Sequence, residues 1–232
     1  MSAQNEFRQP VGARLQNWIK PEFPSSDDLV GRSVRLVTLD SRTHAEALSE
    51  AFSQAGDSLW TYMGFGPFDN SAQLASAIDD IVDLPDWQPY CILVDAAPVG
   101  FASYLRINQQ AGVIEIGSIT FAPSLQRTTA ATEAIYLMIK DCFDLGYRRC
   151  EWKCDDLNAP SRAAAIRLGF QYEGTFRQAT HYKGRNRDTS WYAMTDQDWV
   201  DLEPGYVAWL NPKNFDSAGK QKQSLSESLA SR

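Results

Sequence analysis

Apolar positions along the chain change period several times, and each change marks an element. Between residues 31 and 39, Val34, Leu36 and Thr38 alternate with Arg35, Val37 and Leu39, the period-two pattern of a strand. Asp40 or Ser41 can cap the helix that follows, where Ala45, Leu48 and Phe52 recur at helical spacing. An aromatic, glycine-bearing connection over residues 58–70 leads to a second helix, capped by Asp69 or Asn70, with Leu74, Ile78 and Ile81 on one face. YCILVD and VGFASYLRI, around a turn at Ala96-Ala97-Pro98, predict a hairpin. GVIEIGSITF predicts a strand with Ile114 and Ile116 on one face and Glu115 on the other.

After LQRTTAATEA, residues 125–134, a helix carries Ala134, Leu137, Met138 and Cys142 on one side and ends near Leu145-Gly146. YRRCEWKC then reads as a strand and SRAAAIRLGF as a short helix stopping at Gly169. Strands around residues 171–182 and 187–195 are joined by the turn Lys183-Gly184-Arg185-Asn186, and residues 196–210 start as a helix that Pro204-Gly205 should break. Strands before and after helices, with hairpins at both ends, fit one mixed α/β domain over residues 31–210. Residues 1–30 read as an irregular arm packing Trp18, Ile19 and Phe23 on that domain; residues 211–232, polar and rich in Ser and Lys, read as a flexible tail.

Composition then narrows the function. The 232 residues are 44% hydrophobic and 22% charged, the balance of an ordinary globular protein. A net charge of −7 argues against a general nucleic-acid binder and leaves room for a cationic substrate such as an amine. No run resembles a signal peptide or reaches transmembrane length, so no membrane partner is expected and the cytoplasm is the default location. Cys150 and Cys154 share a strand-like run that separates them by roughly 13 Å, too far to bridge or to share a metal. All four cysteines read as buried thiols, and with only two histidines no metal site is expected.

Two stretches can carry chemistry. In LQRTTAATEA a strand turns into a helix, which leaves unpaired N–H groups and the positive end of the helix dipole where a phosphate could sit. Arg127 adds charge, and Thr128, Thr129 and Thr132 add hydroxyls. Plain capping of an amphipathic helix by Ser124 and the threonines is the alternative. GxxxxGK[ST] is missing and no GxGxxG follows a first strand, which disfavours ATPases and NAD enzymes. In LNAPSRAAAIRLGF, Asn158 and Ser161 lie where a strand ends and a helix starts. They can bond an amide-bearing ligand, or simply cap the helix.

The order of these parts resembles the GCN5-related N-acetyltransferase superfamily, and within it the ribosomal-protein alanine and serine N-acetyltransferases. Gln126, Thr129 and Ala131 stand at the marked positions of Q/R-x-x-G-x-G/A after the strand IGSITFAP. Asn158-x-x-Ser161 followed by Leu168-Gly169-Phe170 matches N-x-x-S … L-G-F in order and spacing. The resemblance covers roughly residues 30–196. It implies a mixed, splayed β-sheet of about seven strands flanked by helices, with acetyl-CoA lying where two central parallel strands part. Ile119, Thr120 and Phe121 would offer backbone groups to the pantetheine and thioester. Gln126, Arg127, Thr128, Thr129, Ala130, Ala131 and Thr132 would hold the pyrophosphate, and Asn158 would bond the pantetheine.

Thr129 replaces the motif's first glycine, which a helical, negative φ would permit. The tyrosine acid of some relatives is replaced by Ala165, leaving Ser161 to stabilise the thiolate. Glu115 is the first candidate base, with a structural ion pair as its alternative role, and His181 is the second. Trp60, Tyr62, Phe65 and Phe68 would line the acceptor mouth, or else form core. The activity implied is direct acetyl transfer from acetyl-CoA to a primary amine, on a peptide or protein N-terminus or a small molecule. A non-catalytic acyl-CoA-binding or sensing domain is the alternative. Exposed edge strands would permit a homodimer.

Overall fold

A computed structural model describes residues 3–230. A two-stranded hairpin, β1 (Ala3–Gln4) with β2 (Pro10–Val11), precedes β3 (Leu29–Val30), β4 (Arg35–Thr38), α1 (Ser41–Ser53) and α2 (Ser71–Val82). Then follow β5 (Gln88–Val94), β6 (Ala97–Asn108), β7 (Val113–Phe121), α3 (Thr129–Asp144), β8 (Arg149–Asp155) and α4 (Ala159–Arg167). The chain continues with β9 (Gln171–Tyr182), β10 (Arg185–Thr195), α5 (Asp196–Leu210) and α6 (Leu225–Ala230). The main sheet runs β3-β4-β5-β6-β7-β8-β10-β9, eight strands rather than about seven, because Leu29–Val30 adds an edge to β4. β7 and β8 are the parallel pair in an otherwise antiparallel sheet.

Period-two alternation divides the apolar side chains between two cores. Leu36, Tyr90, Ile92, Tyr104, Ile114 and Ile116 pack with Ala134, Ile135, Met138 and Ile139 of α3. Their strand neighbours Val37, Cys91 and Phe101 turn to the other face, where Leu48 and Phe52 of α1 and Leu74 and Ile78 of α2 meet them. Asp40 and Asn70 are the caps of α1 and α2, their side chains accepting from the amides of Thr43 (2.8 Å) and Gln73 (3.0 Å). The four cysteines are buried and unbridged.

Two expectations at the chain ends change. α5 runs straight through Pro204 and Gly205 to Leu210. Proline removes a single donor there, and the glycine makes room for a neighbour: a Cβ on Gly205 would lie 2.7 Å from the carbonyl oxygen of Ser228. That neighbour is α6, in the stretch read as a flexible tail; Leu225 is buried in the α3 core. In the arm, only Trp18 packs as expected, against Gly112 and Arg148, while Ile19 (82% exposed) and Phe23 point outward. Backbone carbonyls do the anchoring instead. Gln109 Nε2 donates to Pro21 O, Tyr147 Oη to Glu22 O and Tyr90 Oη to Ser25 O, at 2.8–3.0 Å.

Gly205→Ala should undock α6. Overpacking of this kind costs about 1–3 kcal/mol, so a lowered Tm and faster proteolysis within residues 211–224 are expected. An unchanged Tm would mean that α6 contributes little.

Candidate active site

The site is built where the sheet opens. β7 and β8 pair only over Val113–Glu115 and Arg149–Glu151, after which β7 runs on to Phe121 and β8 to Asp155 without a shared ladder. Ile119, Thr120 and Phe121 therefore lie on a strand bonded to β6 alone, Thr120 opposite Phe101 and Phe121 opposite Gly100. The register with β6 shifts between Gly117 and Thr120, and Ser118 adopts φ 52° there. Its hydroxyl is buried without a partner among the described residues. An orphaned hydroxyl beside an unpaired strand edge suits a ligand that carries amides.

At the open end stands the start of α3. Arg127 takes the left-handed conformation (φ 62°), Thr128 is the N-cap, and Thr129 is the first helical residue. The strained position is thus Arg127. Thr129 has no positive φ, so glycine's freedom is not needed there. Thr128 Oγ1 accepts from the Ala131 amide at 3.1 Å and donates to Leu125 O at 2.6 Å. The amides of Thr129 and Ala130 meet no acceptor among the described residues, which leaves them for an anion. Gln126 turns back to donate to Phe121 O (2.8 Å), and Thr132 Oγ1 accepts from Arg167 (2.8 Å). These two residues shape the cradle, with their side chains already engaged. Beside it lies a cavity of about 610 Å³ lined by Arg32, Ser33, Thr128, Thr129, Ala130 and Phe215. Buried Glu133 fixes its far wall, accepting from the amides of Arg32 (2.7 Å) and Ser33 (2.8 Å) and from the Ser33 hydroxyl.

At the end of β8, Asn158 caps α4 through Oδ1, which accepts from the Ser161 amide at 3.2 Å. Its amide nitrogen has no partner among the described residues and can serve a ligand. Ser161 Oγ accepts from Trp152 Nε1 at 3.0 Å and lies near the Cys154 thiol, whose pKa burial raises and the Ser161 hydroxyl partly lowers. Asn158 thus performs the capping role and keeps its side-chain NH2 group, whereas the Ser161 hydroxyl caps nothing and is already engaged by Trp152.

The face opposite α3 carries charge. Glu115 is 6% exposed, with Oε2 2.9 Å from Lys153 Nζ and 3.5 Å from Arg106 Nε. Lys153 also lies 2.7 Å from Glu151, which bonds Arg149 at 2.8 Å, and Arg149 continues to Glu173. Burial raises the Glu115 pKa, against the pull of Lys153 and Arg106. Burial would raise Glu151 too, but the Lys153 ammonium beside it and the hydrogen bond from Arg149 outweigh it and hold that carboxyl below its ordinary value. The ion-pair role read as an alternative for Glu115 is present, together with the desolvation that suits a base. Glu151 and Lys153 went unassigned from sequence, although EWKCD places Glu151, Lys153 and Asp155 on one strand face.

The aromatic mouth divides. Trp60 is 5% exposed and packs edge-on against Phe52 and Phe68, with Gly66 pressed to its indole; it is a core residue. Phe65 stacks on Phe68 beside it. Tyr62 instead reaches across to donate to Leu157 O at 3.1 Å. The β9–β10 hairpin closes from the other side, Lys183 Nζ donating to Trp60 O and Tyr182 Oη to Asp155 Oδ2, both at 2.6 Å. Burial and that carboxylate push the Tyr182 pKa up to about 12. His181 is exposed and pairs across the hairpin with Asn186. Strand alternation puts it on the face opposite Tyr182, away from Asp155.

A parallel pair that opens toward a helix N-terminus with free amides fits the acyl-CoA site that the sequence resemblance implies, and proteins of known structure share the arrangement of the chain. The acetyltransferase (GNAT) domain family matches residues 33–171. A GCN5-related N-acetyltransferase from Brucella melitensis is 41% identical, over 93% of this chain and 100% of its own, with a TM-score of 0.90. A protein of Chromobacterium violaceum, described as a probable acetyltransferase of the GNAT family, is 40% identical over 83% of this chain and 98% of its own, with a TM-score of 0.80. RimJ of Mycobacterium smegmatis, solved with CoA-disulfide, shares the fold at 21% identity and a TM-score of 0.63, over 85% of this chain and 88% of its own. No curated protein matches. The chain belongs to the GNAT acetyltransferase domain family and is an acetyl-CoA-dependent N-acetyltransferase.

With the unpaired amides of α3 as the candidate phosphate site, Thr129→Gly should keep acetyl-CoA affinity within about threefold. Arg127→Gly suits the left-handed turn and should raise Tm slightly while weakening binding about tenfold through the lost cation. Calorimetric titration checks both; loss of binding in Thr129→Gly would refute the cradle as drawn.

Proposed function

We propose that this enzyme moves the acetyl group directly from acetyl-CoA, held in the opening between β7 and β8, to a primary amine that enters from the face opposite α3. The observation that carries the reading is the end of β7–β8 pairing at Glu115 and Glu151, below the free amides of Thr129 and Ala130. These amides with Arg127 would hold the pyrophosphate, the outer edge of β7 and Asn158 the pantetheine, and acetyl-CoA supplies the activated thioester. The acceptor reaches the reacting carbon past Tyr62, Tyr182 and Asp155. An ammonium entering a face lined by Glu115, Glu151 and Asp155 finds favourable potential. Glu115, desolvated at the foot of the opening, takes the amine's proton, and Ser161 steadies the departing thiolate by hydrogen bonding.

Thiol release should be followed with acetyl-CoA and a panel of peptides with N-terminal alanine or serine alongside small primary amines. Glu115→Gln should lower kcat/KM about 10²–10⁴-fold with acetyl-CoA binding unchanged, and Ser161→Ala should lower kcat by about tenfold. Rates unchanged in both variants would take these residues out of the reaction. Acetyl-CoA binding with no thiol released to any amine would favour the non-catalytic sensor.

A further inference from the structure

Glu115 and Glu151 are directly opposite each other in the last shared register of β7 and β8. Like charges placed this way on neighbouring strands repel, and both carboxylates are buried. What separates them is Lys153. It lies two residues further along β8, on the same strand face but beyond the point where the strands pair, so its side chain can reach back across the gap. Its ammonium is 2.9 Å from Glu115, 2.7 Å from Glu151 and 3.7 Å from the centre of the Trp191 ring on β10, and the side chain is 6% exposed. The charged groups around Glu115 are thus Arg106 from β6 and Glu151 and Lys153 from β8, with the neutral indole of Trp191 beneath Lys153. Arg149 and Glu173 continue the line, so signs alternate from β9 to β6: Glu173, Arg149, Glu151, Lys153, Glu115, Arg106.

We infer that Lys153 is a positioning residue for proton transfer: by sharing its charge between Glu115 and Glu151 at the foot of the opening, it holds Glu115 ionised and aimed at the incoming amine. The inference rests on the reading of Glu115 as the base. In that step the carboxylate takes one proton from the acceptor's ammonium, which frees the nitrogen lone pair; the charge lost on Glu115 leaves Lys153 shared with Glu151 alone. Arg149 already neutralises Glu151, so the cluster can absorb this change. Lys153 touches neither substrate nor reacting atom.

The two neighbours of Glu115 on β8 act on it with opposite sign. Removing Lys153 takes away a cation and should make the carboxylate harder to ionise. Removing the charge of Glu151 takes away an anion and should make it easier. A merely structural role would move both variants the same way, toward looser packing. The test is a ¹³C-detected titration of the Glu115 carboxyl in the full-length protein, paired with the pH profile of kcat/KM for acetyl-CoA and a peptide with N-terminal alanine.

Lys153→Met should raise the Glu115 midpoint, and the acidic limb of the profile with it, by about one pH unit or more. Glu151→Gln should lower both, and Lys153→Arg should restore the native midpoint. If Lys153→Met fails to fold, the downward shift in Glu151→Gln and the native midpoint in Lys153→Arg carry the test. A midpoint unmoved by Lys153→Met, or raised by Glu151→Gln, overturns the inference. An acidic limb that survives in Glu115→Gln overturns the base reading instead, and a limb that is lost there but unmoved by Lys153→Met removes Lys153 alone.

Discussion

The architecture depends on where two parallel strands stop pairing. A parallel pair needs a long crossover, here α3, and the crossover brings its N-terminus to the end at which β8 finishes. Had the ladder of β7 and β8 continued past Glu115 and Glu151, the edge of β7 would be filled by backbone and α3 would sit over a closed sheet. Three registers of pairing and a bulge at Ser118 suffice to turn a crossover helix into the roof of a ligand site.

The foot of that opening is an expensive place to put charge. Taking ions out of water costs several kcal/mol each, and a buried pair often contributes less than apolar side chains of the same volume would. Yet six charged residues line up there in alternating sign, two of the carboxylates nearly out of contact with water. Stability alone gives no reason to keep them, whereas the proposed transfer of a proton from an ammonium does. The aromatic cluster beside them works the other way: Trp60, Phe52 and Phe68 make a rigid wall, and only Tyr62 at its edge offers a polar tip.

Local rules made much of this legible from the sequence. Period-two runs located β4 and β7, helical spacing and cap residues located α1 and α2, and the order of LQRTTAATEA and Asn158-x-x-Ser161 identified the family. What escaped notice depends on residues far apart in the chain. Pro204-Gly205 looks like a break until α6 is seen lying against it, and the polar stretch after 211 looks mobile because its buried leucine, Leu225, joins a core formed by distant residues, those of α5 among them. Trp60 reads equally well as core or mouth until its neighbours are known. The strand YRRCEWKC announced itself, but nothing local says that Lys153 meets a glutamate 38 positions earlier (153 − 115) rather than solvent.

The contact of Glu133 with the turn at Gly31, Arg32 and Ser33 bears on how the domain can be cut. The family match begins at residue 33, inside the clamp. A fragment started there would strip a buried carboxylate of the Arg32 amide, and would detach the edge strand β3 that leads into it. The natural unit for dissection therefore begins upstream of Leu29, and the helix proposed to cradle the cofactor owes part of its fixed position to chain outside its own family boundary.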